Sequence, residues 1–234
     1  GHPTEVAIEA LSELMREVGI TVEGDFRRGT APDEAETLVR HRSPPLSEIV
    51  SAVNKYSSNF GAEMLLRGLA VAAGHAPGST AAGVLELREC LEGWGVETQR
   101  LRLADGSGYS RRSRLTARAL VDTIKAGLDS STWGPEWIVS WPRAGEDGSL
   151  ERRLEGLLGR LRAKTGTLSG VSALAGTLRA PDGEPIVFAL LINARADGAP
   201  VGPWLVDRLI ESLASSLPPK PSRKIEGRAR KEGR

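Results

Sequence analysis

Lys164-Thr165-Gly166-Thr167 sets an amine beside two hydroxyls and a residue with no side chain. A lysine cation flanked by hydroxyls makes a clamp for a carboxylate, since charge-assisted hydrogen bonds are shorter and stronger than neutral ones. Gly166 lets a peptide backbone lie along a strand edge as an added strand. The backbone N–H of Thr167 is then one donor for a developing oxyanion. About a hundred residues upstream, Ser57-Ser58-Asn59 interrupts two helical patterns. There the hydroxyl of Ser57 can relay a proton to a leaving amine, and the amide of Asn59 can hold a peptide carbonyl. Both stretches suit acyl transfer, which needs an activated hydroxyl, a proton carrier, an oxyanion hole and a grip on the acyl donor. Each also has a plainer reading: a polar loop whose Ser and Asn bond local backbone, and an edge-strand lysine that discourages aggregation.

Helices and strands must bring these stretches together. A first helix is expected to open at Thr4 as cap and close at Gly19, with Ala7, Leu11, Leu14, Met15 and Val18 on its apolar face. Ile20, Val22 and Phe26 approximate alternation and predict a short strand, followed by a polar surface loop over Arg27–Arg42. Ser43-Pro44-Pro45 launches a second helix that breaks at Tyr56–Asn59. A helical pattern resumes from about Phe60 to Gly74, and another spans Ser79–Trp94. Thr98–Leu103 reads as extended, Asp105–Gly108 as a tight loop, and Thr116 as the cap of a further helix. Trp133–Ser149 reads as a packed irregular loop, and Leu150, Leu154, Leu157 and Leu158 as a short helix. Three strands follow, Leu161–Leu168, Ser172–Arg179 and Pro185–Ile192, the last two joined by a turn at Ala180–Glu184. A helix over about Pro200–Ser216 closes the pattern. Helices, an antiparallel meander and a covering helix predict an α+β layered domain.

The 234 residues suffice for one substantial core, and 40% apolar with 26% charged residues is ordinary for a globular chain. Nowhere does an apolar run reach the length of a transmembrane helix. The single cysteine, Cys90, excludes an internal disulfide, and His2, His41 and His75 lack ligand spacing, so no metal or other cofactor is expected. The formal charge of +1 conceals an asymmetry. Between Pro218 and Arg234 stand seven Lys/Arg against Glu226 and Glu232, a net +5. Such a tail cannot bury a core and is expected to be disordered. Nucleic acid is a poor partner, because the basic cluster has no interleaved aromatic residues.

Longer stretches carry a resemblance. Ser43–Val50, Asn54–Asn59 with Ala62-Glu63, Asp105–Arg111, Ala144–Leu150 and Ala163–Leu168 stand in an order and spacing similar to the low-molecular-mass class C penicillin-binding proteins, the D-alanyl-D-alanine carboxypeptidase/endopeptidase family. The likeness runs over roughly Pro3 to Leu217. It implies a penicillin-binding-protein/β-lactamase-like transpeptidase domain, an antiparallel sheet packed against helices. It also implies cleavage of terminal D-Ala from peptidoglycan stem peptides through an acyl-enzyme, no metal, inhibition by β-lactams, and a periplasmic or otherwise extracytoplasmic location. By position, Ser57 and Asn59 match the Ser-x-Asn motif, and Lys164, Thr165 and Gly166 match Lys-Thr-Gly. Thr167 matches the oxyanion-hole position, and Asp105–Arg111 is expected to shape the cleft wall. Ser58 stands where the family commonly has Asp, and its side chain is expected to point away from substrate.

The resemblance also implies a Ser-x-x-Lys helix carrying nucleophile and base. No serine of this chain has a lysine three residues later. The expectation is therefore the C-terminal part of a transpeptidase-type domain over residues 1–217, incomplete, with a basic tail over 218–234. Such a chain is expected to be inactive alone, with its N-terminal part missing. Two other readings stand beside it, a non-catalytic binder of peptidoglycan peptides and a serine β-lactamase. The Asp105–Arg111 and Ala144–Leu150 stretches speak against the lactamase.

Overall fold

The computed structural model describes residues 3–27, 29–30, 32–194 and 201–218. Of the basic tail only Pro218 is among them, so the expectation of disorder there lies outside the described residues. The chain divides into two units, Gly1–Ser43 and Pro44–Arg234.

Among the described residues the first unit holds one helix, α1 (Pro3–Glu17). Pro3 already lies in it, so Thr4 falls in the first turn instead of capping it; a proline's fixed φ suits that position. Gly19 closes the helix at φ 82°, and Ile20 N–H returns to Met15 O at 2.8 Å. The expected strand at Ile20, Val22 and Phe26 does not form. All three are about half exposed, and alternation makes a strand only where a neighbour pairs with it. Residues 32–42 are irregular and exposed, as their polarity suggested.

The second unit carries the helical layer and the sheet. Helices α2 (Leu46–Tyr56) and α3 (Asn59–Ala72) are separated by two residues. Gly61 explains their close meeting, since a Cβ there would stand 2.5 Å from Val53 Cγ2. Helix α4 (Thr80–Gly93) is capped by Ser79, whose Oγ accepts from Ala82 N–H at 3.1 Å. It presses Gly83 against the carbonyl of Leu66 on α3. Thr98–Leu103 is a turn with a single bridge, Arg102 to Arg114, and not a strand. Helix α5 (Ala117–Asp129) starts at its expected cap, Thr116.

The expected loop after Trp133 contains a short helix, α6 (Gly134–Val139). Trp94, Trp133, Trp137 and Trp141 form a chain of rings with centroids 5.0–5.5 Å apart. Trp137 lies on the bare backbone of Gly127 in α5, where a Cβ would overlap its ring. The helix expected at Leu150–Leu158 is instead two 3-10 turns, Gly148–Leu150 and Glu155–Leu157. Leu154, between them, sits in the left-handed region at φ 58°, which ends helical continuity.

Strands β1 (Leu161–Leu168), β2 (Val171–Arg179) and β3 (Pro185–Asn193) form an antiparallel sheet in the order β1-β2-β3. Lys164 pairs with Ala175, Gly166 with Ala173 and Thr167 with Ser172. On β2, Ser172, Leu174, Gly176 and Leu178 are buried alternately, the period of a pleated strand. Helix α7 (Pro203–Ser216) brings Val206, Ile210 and Ala214 into one core with Leu150, Leu154, Leu157, Leu161, Leu174, Leu178 and Phe188. Each fully buried leucine contributes roughly 1.5–3 kcal/mol. The sheet that bears Lys164 is thus anchored away from its open edge, and the architecture is α+β.

Candidate active site

Three successive residues between α2 and α3 do different work. Ser57 ends α2 in the left-handed region at φ 54°, ψ 46°. A non-glycine residue there is uncommon and mildly strained. Ser58 is the N-cap of α3, its Oγ accepting from Gly61 N–H at 3.1 Å. Asn59 is the first residue of α3, and both Ser57 and Asn59 are exposed. The cap role of Ser58 was readable from its place before a helical pattern, yet its side chain was assigned only a direction.

Across the cleft, β1 is an edge strand among the described residues. Only its first part is covered: Ala163 N–H donates to Pro142 O at 3.0 Å, and Ala144 N–H to Leu161 O at 3.1 Å. Lys164 follows immediately. Its Nζ donates to Ser57 Oγ at 2.7 Å and to Thr165 O at 3.1 Å. The contact joins the two motifs across 107 positions of sequence. Burial pushes the Lys164 amine below the ordinary lysine value of 10.5, because the cation loses water.

Thr165 does not stand free for a ligand: its Oγ1 donates to Ser149 Oγ at 2.8 Å. Gly166 has room for a side chain. A Cβ there would meet only Ala173 Cβ, at 3.4 Å, an ordinary contact. Packing within this chain therefore gives no reason for the glycine. Thr167 is exposed and borders an open cavity of about 550 Å³ lined with Tyr109, Arg111, Leu168 and Ser169. Arg111 crosses to Ser169 O at 2.7 Å. The 105–111 stretch thus forms a wall beside β1, as expected. Asp105 holds that wall, accepting from Ser110 N–H at 2.8 Å, Ser113 Oγ at 2.8 Å and Ser107 Oγ at 3.0 Å.

Ser149, Asp147 and Lys55 were not recognised as site residues from the sequence. The only signal was their presence in the stretches that carry the resemblance. Asp147 accepts from Lys55 Nζ at 2.7 Å and from Arg143 N–H at 2.8 Å. Among the described residues no group of three His, Cys, Asp or Glu could hold a metal ion, and no helix is long and apolar enough to cross a membrane. The arrangement offers a partly desolvated amine on a serine hydroxyl, beside an uncovered strand edge. Chemically such an arrangement can attract an anionic group and offer main-chain partners to an extended chain.

Known proteins share this arrangement of sequence and fold. A D-alanyl-D-alanine carboxypeptidase of Actinomadura sp. (strain R39) is 39% identical over 211 residues, which are 86% of this chain and 38% of that protein. D-alanyl-D-alanine carboxypeptidase DacB of Haemophilus influenzae is 29% identical over 82% of this chain and 41% of its own length. The crystal structure of penicillin binding protein 4 from H. influenzae, complexed with a β-lactam, superposes with a TM-score of 0.73 at 27% identity, covering 89% of this chain and 50% of that one. The chain spans about two fifths of the length of the curated relatives it matches. A family model described as D-Ala-D-Ala carboxypeptidase 3 (S13) matches residues 1–208, and the chain belongs to that family.

Proposed function

We propose that this chain forms the peptide-orienting side of a serine-type D-Ala-D-Ala carboxypeptidase site acting on peptidoglycan stem peptides outside the cytoplasm. The observation that carries the reading is the 2.7 Å contact from Lys164 Nζ to Ser57 Oγ. On this reading the cation meets a terminal carboxylate, and the hydroxyl beside it can pass a proton to a departing D-Ala amine. The uncovered edge of β1 past Ala163 offers main-chain partners to an added strand, and the unconstrained Gly166 leaves space for it. Thr167 N–H supplies one oxyanion donor, and Asn59 holds the peptide carbonyl. The nucleophile, its base and the second oxyanion donor come from a Ser-x-x-Lys segment outside these 234 residues. Alone, the chain binds without acylation, and β-lactams occupy the same edge.

Two measurements test this. The chain should bind an N-acyl-D-Ala-D-Ala peptide more tightly than the same peptide ending in an amide, by about ten- to a hundredfold, the worth of a charge-assisted hydrogen bond. It should form no covalent adduct with a fluorescent penicillin, whereas a polypeptide that also carries the Ser-x-x-Lys segment should. Equal affinity for acid and amide would remove the clamp, and labelling of this chain alone would overturn the assignment of the nucleophile.

A further inference from the structure

The Ser57–Lys164 contact spans two elements, and what keeps them in place lies outside both motifs. Ser57 is two residues beyond Lys55, in the last turn of α2, so its position follows that turn. Two side chains of the turn are tied down. Asn54 Nδ2 donates to the buried Ser140 Oγ at 2.8 Å, next to α6. Lys55 Nζ donates to Asp147 Oδ2 at 2.7 Å, both side chains being about a quarter exposed.

The segment holding Asp147 is itself joined to β1. Pro142 O and Ala144 N–H pair with Ala163 and Leu161, and Arg143 bridges Arg162. Asp147 Oδ1 accepts from Arg143 N–H at 2.8 Å, which closes the segment on itself. Gly148, at φ 57°, lies against the Lys55 backbone, where a Cβ would come within 2.7 Å of Lys55 O. Ser149 Oγ then accepts from Thr165 Oγ1 at 2.8 Å. Residues 142–149 therefore touch β1 on both sides of Lys164 and α2 two residues before Ser57.

We propose that Lys55 and Asp147 are positioning residues, a clasp that holds the Ser57 hydroxyl at hydrogen-bond distance from the Lys164 amine. Neither touches the reacting atoms; they act through α2 and the 142–149 segment. The inference rests on the reading of this site as one that orients a D-Ala-D-Ala peptide, though its first readout does not.

Lys55→Met keeps the aliphatic stem and removes the charge; Lys55→Arg restores it. With six lysines in the chain, the Lys164 amine can be followed by NMR through its own pH titration. In the unaltered chain it titrates below the ordinary lysine range. In K55M the amine regains water, and its titration moves up toward 10.5; K55R moves it back. Affinity for an N-acyl-D-Ala-D-Ala peptide falls about tenfold or more in K55M, the scale of a charge-assisted hydrogen bond lost when its donor is no longer oriented, and recovers in K55R. Should K55M fail to fold, Asp147→Asn serves the same purpose, since its amide oxygen still accepts from Arg143 N–H. A Lys164 titration unmoved in the folded variant overturns the clasp, whatever the peptide does. Failure of the unaltered chain to bind peptide would instead count against the proposed function and leave the titration result standing.

Discussion

At the scale of single residues, the proposed function gives Lys164 the carboxylate and so ties the pH range of binding to its amine. Burial lowers its pKa, so the cation that would hold a carboxylate is lost at a lower pH than for an ordinary lysine. Peptide affinity should therefore decline as pH rises through a value below 10.5. Lys164→Arg should abolish that decline, because a guanidinium stays charged throughout. The same shift makes a statement about stability. The unfolded chain binds this proton more tightly than the folded one, so folding is disfavoured below the folded pKa and favoured progressively as pH climbs toward 10.5. Lys164→Met should consequently leave stability at neutral pH unchanged or raised while peptide binding drops. A loss of both together would mean that Lys164 holds the fold instead of serving the site.

At the scale of elements, the site depends on a two-residue junction between helices. Ser57 must leave α2 in a left-handed conformation while Ser58 opens α3, so the α3 cap fixes where Asn59 begins. Ser58→Ala should cost about 0.5–2 kcal/mol of unfolding free energy, and Ser58→Asp should restore it; chemical denaturation of the three proteins measures both. Equal stability of all three would dismiss the cap. The junction also shows where sequence was informative. Lys164 and Ser57 stood out as candidates because each lies in a short motif, Lys-Thr-Gly and Ser-x-Asn, and the two motifs are suitably spaced. The hairpin at Ala180–Glu184 and the cap Thr116 were equally local. What escaped was decided by partners distant in sequence. The alternation at Ile20–Phe26 promised a strand, but no neighbour pairs with it. Leu150–Leu158 had helical spacing, but Leu154 turns left-handed while its side chain remains in the core. Lys55 and Asp147 are 92 positions apart, and nothing local in either marks the other.

At the scale of the whole Pro44–Arg234 unit, the helical layer and the sheet are held in register by polar contacts around the cleft, and two carboxylates organise them. Asp105 shapes the wall beside the cavity. Burial alone would raise its pKa, but the hydrogen bonds from Ser110, Ser113, Ser107 and Tyr109 outweigh that and hold it below the usual 3.8. Asp147 behaves alike: burial opposes ionisation, while Lys55, with the backbone and charge of Arg143, brings it below 3.8. A carboxylate whose folded pKa is depressed contributes stability that is fully present above its unfolded pKa. That contribution disappears as pH falls below 3.8 through the folded values. Asp105→Asn should thus lower the midpoint of thermal unfolding at pH 7, by about 2–4 °C for each kcal/mol lost in a chain of this size, and the difference from the unaltered chain should shrink as pH falls below 3.8 and the native aspartate takes up its proton. Because Arg111 reaches Ser169 from the wall that Asp105 holds, the Tyr109 ring resonances, followed by NMR in a Tyr56→Phe variant, should report the change in the same pH interval. A difference between Asp105→Asn and the unaltered chain that showed no decrease as pH fell below 3.8 would show that the loop is held by its backbone geometry, and that the charge of Asp105 has no part in keeping the cleft wall against the sheet.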